Sequence, residues 1–175
     1  MRDESISAAL IREHHEIDAG VEQFVARIEE LGQTPSDDQI REAAALLADA
    51  LSALRRHIYL EEEFVFPSLS DPSLQMAMLV MYREHGQIWR LMDQAQNQIA
   101  GHGAAVDVMA TCKTMLAELE RHNAKEEPII YPHTDADLSR EKQEQLARFL
   151  ESGEMPAGWT CREASEPKGG RKLPF

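Results

Sequence analysis

Apolar residues recur along most of the chain at three- and four-residue intervals, the period of an amphipathic helix and not the alternation of a strand. Leu10, Ile17, Val21, Phe24, Ile28 and Leu31 form a first stripe, and Gly32 is placed to stop it. After Thr34-Pro35-Ser36-Asp37, a turn rich in capping residues, a second stripe runs through Leu47, Ala50, Leu54, Glu61 and Phe64 and ends before Pro67. Asp71-Pro72 reads as an N-cap followed by proline at the first helical position. The next stripe, Leu74, Met78, Met81, Ile88, Met92, Ala95 and Ile99, ends at Gly101. A fourth passes through Val108, Cys112, Met115, Leu119, Glu126 and Ile129, with Pro128 expected to kink the last turn by removing a backbone donor. Ser139 to Ser152 reads as a shorter fifth helix between a serine cap and Gly153. Four long amphipathic helices with short connections predict an all-α fold, an antiparallel up-down four-helix bundle. The expected organisation is a bundle over 1–135, an additional C-terminal helix within 136–152 and an extended Gly/Pro-rich tail over 153–175.

A chain of 175 residues, 43% apolar and 28% charged, suits one globular domain and neither a disordered nor a fibrous protein. Its net charge of -13 repels phosphate backbones and anionic headgroups, so neither nucleic acid nor membrane is expected as a partner. Cys112 and Cys161 lie far apart, which gives no disulfide framework or thiolate zinc motif, and with no apolar run long enough for a signal or a span, the expected compartment is the cytoplasm.

The stripes carry polar residues at core depth. His14 lies between Leu10 and Ile17, His57 between Leu54 and Glu61, His85 between Met81 and Ile88, and His122 between Leu119 and Glu126. Arg12-Glu13-His14-His15-Glu16-Ile17 is echoed by Arg83-Glu84-His85-Gly86-Gln87-Ile88, which aligns His14, and not His15, with His85. His57 is followed by Glu61, Glu62 and Pro67, and His122 at the same offsets by Glu126, Glu127 and Pro132. The chain therefore reads as a duplicated helix pair. Spacing i to i+4 puts His57 with Glu61, and His122 with Glu126, on one helix face. Burying these groups without partners costs several kcal/mol each, which demands pairing or metal. Four imidazoles and two carboxylates match a dinuclear site in which each metal takes two histidines, the carboxylates bridge, and open positions remain for a small ligand. The plain alternative is a buried His-Glu hydrogen-bond network.

Over about Leu10 to Pro132 these residues resemble the hemerythrin-like, or HHE cation-binding, domains. The resemblance implies a four-helix bundle around a non-haem, bridged di-iron centre, with His57 and Glu61, and His122 and Glu126, in the histidine-plus-bridging-carboxylate roles, and His14 and His85 completing the metal set. Oxygen carriers of that family have HxxxH on the third helix and HxxxxD on the fourth, whereas here Trp89 stands four residues after His85. The pattern of four histidines and two HxxxE glutamates looks more like the di-iron nitrosative-stress and iron-centre-repair proteins, and like iron-sensing hemerythrin domains. This likeness implies a protein that binds O2 or NO for sensing, scavenging or iron handling. Its alternatives are a di-iron enzyme reducing NO or decomposing peroxide, and a structural bundle holding zinc; zinc and manganese are the rival metals. No electron donor or protein partner is named by the sequence.

Other residues are expected to do less. His15, beside Asp18 and Glu22, is the rival to His14; His102 and His133 fall in expected loops; Glu62, Glu63 and Glu127 read as solvated or supporting carboxylates, with Glu127 the best placed to turn toward the metals. Cys112 and the stripe methionines read as packing. Tyr59 and Tyr131, near the metal-binding segments, are able to donate hydrogen bonds to a bound ligand, although a core or rim role is the plainer expectation for both.

Overall fold

Ser5 opens helix α1 (Ile6–Leu31) by accepting a hydrogen bond from the Ala8 amide, and Gly32, at φ 69°, closes it in the left-handed region that a glycine adopts at no steric cost. Helix α2 (Asp37–Leu60) begins with a reciprocal capping box between Ser36 and Gln39, reinforced by Asp37 and Asp38 in the first turn. In this computed structural model, which describes residues 4–32 and 36–164, Thr34 and Pro35 of the expected turn lie outside the described residues. Beyond Leu60 the helix does not simply continue toward Pro67: Glu61–Val65 form a π-helical turn and Phe66–Ser68 a 3-10 turn. Asp71 caps a 3-10 turn, Pro72–Leu74, which feeds α3 (Gln75–Ala100). Helix α4 (Ala105–Ile129) contains Pro128 and is followed by α5 (Tyr131–Ala136) and by α6 (Arg140–Ser152), which Ser139 caps.

The four long helices pack antiparallel, and no strand occurs among the described residues. Two expectations change near Pro128. Ile129 is exposed and Ile130 is fully buried in its place, because Ile130, four residues after Glu126 and bonded to its carbonyl, continues the stripe of His122 and Glu126. His133, expected in a loop, lies on α5. Among the described residues no helix is long and apolar enough to cross a membrane.

Apolar packing falls into two clusters with a polar layer between them. Ile17, Ile58, Ile88 and Leu119 belong to one cluster, and Leu10, Leu60, Met81 and Ile130 to the other. Along each long helix, one histidine sits at the level where one cluster gives way to the other. The 61–74 connection, α5 and α6 supply the second cluster and close that end of the bundle through Phe66, Leu74, Tyr131 and Leu146. Residues 153–164 fold back onto α2 and α3: Cys161 is buried in the first cluster, Trp159 donates to Glu63, and the Arg162 amide donates to Glu62. The rest of the expected tail, 165–175, lies outside the described residues.

Candidate metal centre

His14, His57, Glu61, His85, His122 and Glu126 are all buried, each at most 4% exposed. Glu61 reaches both halves of the layer, with Oε1 3.1 Å from His57 Nε2 and Oε2 3.2 Å from His85 Nε2. Glu126 does the same from α4, its Oε2 lying 3.1 Å from His122 Nε2 and 3.6 Å from His14 Nε2. The side chains form two groups able to hold a cation, His14-His57-Glu61 and Glu61-His85-His122-Glu126, with donor atoms within 4.8 Å of one another in each. Glu61 is common to both.

Each imidazole is held from outside by a different glutamate. His14 Nδ1 pairs with Glu127 at 2.9 Å, His57 with Glu13 at 2.8 Å, His85 with Glu62 at 2.9 Å and His122 with Glu84 at 3.1 Å. A carboxylate on Nδ1 fixes the proton there and leaves Nε2 facing inward, as metal-binding histidines require. The duplication governs these partners as well. The glutamate before each odd-helix histidine (Glu13, Glu84) serves the next helix, and the one after each buried carboxylate (Glu62, Glu127) serves His85 or His14. Glu127 therefore orients His14 and is not turned toward the centre. Glu13 and Glu84 escaped sequence reasoning, although both stand in the Arg-Glu-His repeat. That repeat was their signal.

Without a metal the cluster is electrostatically uneven. Burial opposes the charge of His57, but Glu61 and Glu13 outweigh it and lift the imidazole to about 10; Glu126 and Glu84 do the same for His122, also to about 10. His14, where burial and neighbouring His57 both disfavour charge, falls to about 4. Glu61 lies well below the usual range because the His57 and His85 contacts overcome burial, while burial and Glu61 raise Glu126. Among the inward atoms, Glu126 Oε1 has no hydrogen-bond partner, and Glu61 Oε2 and His85 Nε2 meet only as their 3.2 Å ion pair, without an aligned hydrogen bond. Orphaned buried groups of this kind cost about 1–3 kcal/mol each, and imidazole nitrogen with carboxylate oxygen is a donor set that transition metals take well. The residues fit a metal pair.

Tyr131 projects into the same centre. Its ring is fully buried, and its hydroxyl lies 2.5 Å from Glu61 Oε1, 2.8 Å from His14 Nε2, 3.1 Å from His57 Nε2 and 3.3 Å from Glu126 Oε2. On the other side of the histidines is a cavity of about 10 Å³, walled by Ile17, Leu54, Ile58, Ile88 and Leu119. By size it holds about one water-sized guest. Asp18 and Asn123 stand at its edge, Asn123 Nδ2 donating to Asp18 Oδ2, and each keeps one buried oxygen without a partner.

The remaining candidates are not brought to the centre. His15 is exposed, and His102 sits at φ 54° in the α3–α4 connection. Tyr59 packs in an aromatic group with Phe64, Phe149 and Trp159. Glu63 accepts from Trp159. Trp89, expected on the face of His85, meets Trp159 edge to face and lies under the Arg55 guanidinium at 4.3 Å. At 3.6 residues per turn, Ile88 and not Trp89 comes round to line the cavity. Burial raises the thiols of Cys112 and Cys161 to about 12, so both are inert packing groups. A separate group, Asp71, His133 and Asp137, lies toward the surface with its atoms already partnered, Asp71 by the Ser73 amide and His133 by Asp137.

The model of the family described as the Hemerythrin HHE cation binding domain matches residues 5–134, which span all four long helices, the six buried ligand candidates and Tyr131. No curated protein and no solved structure matches the chain significantly.

Proposed function

The chain belongs to the hemerythrin HHE cation-binding family, and from that premise we propose that it is a non-haem di-iron protein that binds a small diatomic ligand, O2 or NO, for sensing, scavenging or iron handling. The observation that carries the reading is the convergence of four buried imidazoles and two buried carboxylates whose inward atoms are left partly without hydrogen bonds. In this reading His14 and His57 would hold one ion and His85 and His122 the other, with Glu61 and Glu126 supplying the carboxylate oxygens. A bound iron pair supplies redox change and open coordination positions for a small ligand. The chain's own residues supply the rest. Glu13, Glu62, Glu84 and Glu127 hold the imidazoles in one tautomer and orientation and raise their basicity. The isoleucine and leucine walls keep bulk water out and leave a small apolar space of about 10 Å³ beside the centre, which a diatomic guest would enlarge by side-chain movement. Asn123 and Asp18 place polar atoms at the rim of that room.

Metal analysis of protein purified from its native cell without added iron tests the reading: about two metals per chain, mostly iron, are expected. His57→Ala and Glu61→Ala should lower the content, and His102→Ala should leave it unchanged. One zinc with no iron, or equal iron in all three variants, overturns the assignment. Reduced protein should also change its visible spectrum on addition of NO.

A further inference from the structure

The duplication breaks at one position that matters chemically. The offset that carries His57 onto His122, Glu61 onto Glu126 and Pro67 onto Pro132 also carries Phe66 onto Tyr131. Both rings are buried, Phe66 at 2% exposed and Tyr131 at 0%. Both sit against a histidine of the centre. Phe66 lies parallel to His85, with ring centroids 5.7 Å apart and planes at 10°, and Tyr131 lies 5.3 Å from His14. One half of the centre therefore meets a hydrocarbon ring, and the other meets a phenol oxygen.

That oxygen has four polar atoms of the centre around it. A phenol carries one proton, and the 2.5 Å contact directs it to Glu61 Oε1. Nε2 of His14 and of His57 still point at the same oxygen, at 2.8 and 3.1 Å, while their Nδ1 atoms are engaged by Glu127 and Glu13. Two imidazole nitrogens and a carboxylate oxygen stand 2.5–3.1 Å from this one oxygen, and that mutual spacing describes donor atoms gathered around a cation. Phe66 gives the His85 and His122 half no such atom.

We propose that Tyr131 is a metal ligand, its phenolate oxygen completing the ion held by His14 and His57, so that the two metal positions are unequal. Coordination exchanges the phenol proton for the metal, and the proton passes to solvent. The inference rests on the di-iron reading and deepens it. It assigns the one protein-derived oxygen that the histidine and glutamate motifs do not contain.

Iron(III)-loaded protein is the material for the test, with iron content measured on every sample. A phenolate-to-iron(III) charge-transfer band is expected in the visible spectrum, with tyrosine ring modes enhanced in resonance Raman and shifted when the protein is grown on ring-deuterated tyrosine. Of the three tyrosines, only Tyr131→Phe should abolish the band, while Tyr59→Phe and Tyr82→Phe keep it. Phe66→Tyr should add a second phenolate contribution. The isotope shift needs no variant, so the proposal stays open to refutation if Tyr131→Phe folds poorly. Two irons per chain with no tyrosine modes, or a band that survives in Tyr131→Phe, overturns the ligand and leaves the di-iron reading standing. Protein that takes up no iron overturns both.

Discussion

Asp18 keeps one carboxylate oxygen buried without a partner, and burial, with Glu22 adding to it, lifts its pKa from 3.8 to about 6. A folded-state value above the unfolded one means that the ionised group costs stability. The cost is absent below about pH 4, accumulates as pH rises through the window from 3.8 to about 6, and is complete above it. Asp18→Asn should therefore stabilise the metal-free protein by about 1 kcal/mol at pH 8, a figure reduced for the partial exposure of the group. The gain should be roughly halved near pH 5 and gone below about pH 4. Urea melts in chelator across that range check it, and a gain that is flat with pH would remove burial of the charge as the cause. The glutamates behind the histidines have a different signature: Glu13→Ala or Glu84→Ala should weaken metal retention by about 10- to 100-fold, read by competition with a chelator, without removing a ligand. At this scale the repeated stripe made His14, His57, Glu61, His85, His122 and Glu126 legible as residues of one buried layer, and alignment against His85 separated His14 from exposed His15. Tyr131 was legible only as a neighbour of the site. Its position depends on how the chain leaves α4, which periodicity does not encode.

The two copies of the HxxxE segment reach the same place by different backbone routes. After Glu61 the chain winds through a π turn, five residues long, and a 3-10 turn to set Phe66 on His85. After Glu126 it keeps the α form, loses a donor at Pro128, breaks at Ile130 and restarts as α5 with Tyr131. The insertion of a π turn at a functional site is a recurrent device, and no apolar stripe reveals it, because the buried residues on either side still fit a helical period. The returning tail was equally hidden, since its contacts are long-range. Gly86 permits it: a Cβ there would stand 2.5 Å from the Glu163 carbonyl oxygen and 2.8 Å from its carbon, both backbone atoms. Gly86→Ala should lift residues 159–164 and break the Arg162 amide bond to Glu62, the glutamate that holds His85. Faster proteolysis in the tail and faster amide exchange at Arg162 are the expected readouts, with a cost of about 1–3 kcal/mol from overpacking. An alanine variant with unchanged exchange would show that the tail does not depend on this approach.

The whole molecule concentrates negative charge at mid-height between two apolar clusters. Glu61, Glu126 and the four outer glutamates contribute six carboxylates, against which Arg56, paired with Glu13, and Lys125, paired with Glu84, are the cations in direct contact. With neutral imidazoles and Tyr131 still protonated that leaves an excess of four negative charges, the charge two divalent ions would balance. In the metal-free protein His57 and His122 hold protons to about 10 and offset part of it, so metal entry must displace those protons. Because the candidate ligands are spread over all four long helices, ions bound there would cross-link them, since unfolding scatters His14, His57, His85 and His122 along the chain. Binding to the folded state alone adds stability that grows with metal concentration, about 4 kcal/mol when the free metal stands at a thousand times its dissociation constant. For a domain of this size that corresponds to a shift on the order of 10 °C in Tm. Removing the metal with a chelator should lower the calorimetric Tm by that order and restoring iron should recover it, while Glu61→Ala, which takes away the carboxylate common to both groups, should melt near the metal-free value whether or not iron is supplied. A Tm indifferent to chelator in the unmodified protein would mean that the buried layer is held by its own hydrogen bonds and that the ions, where bound, are not part of what keeps the four helices together.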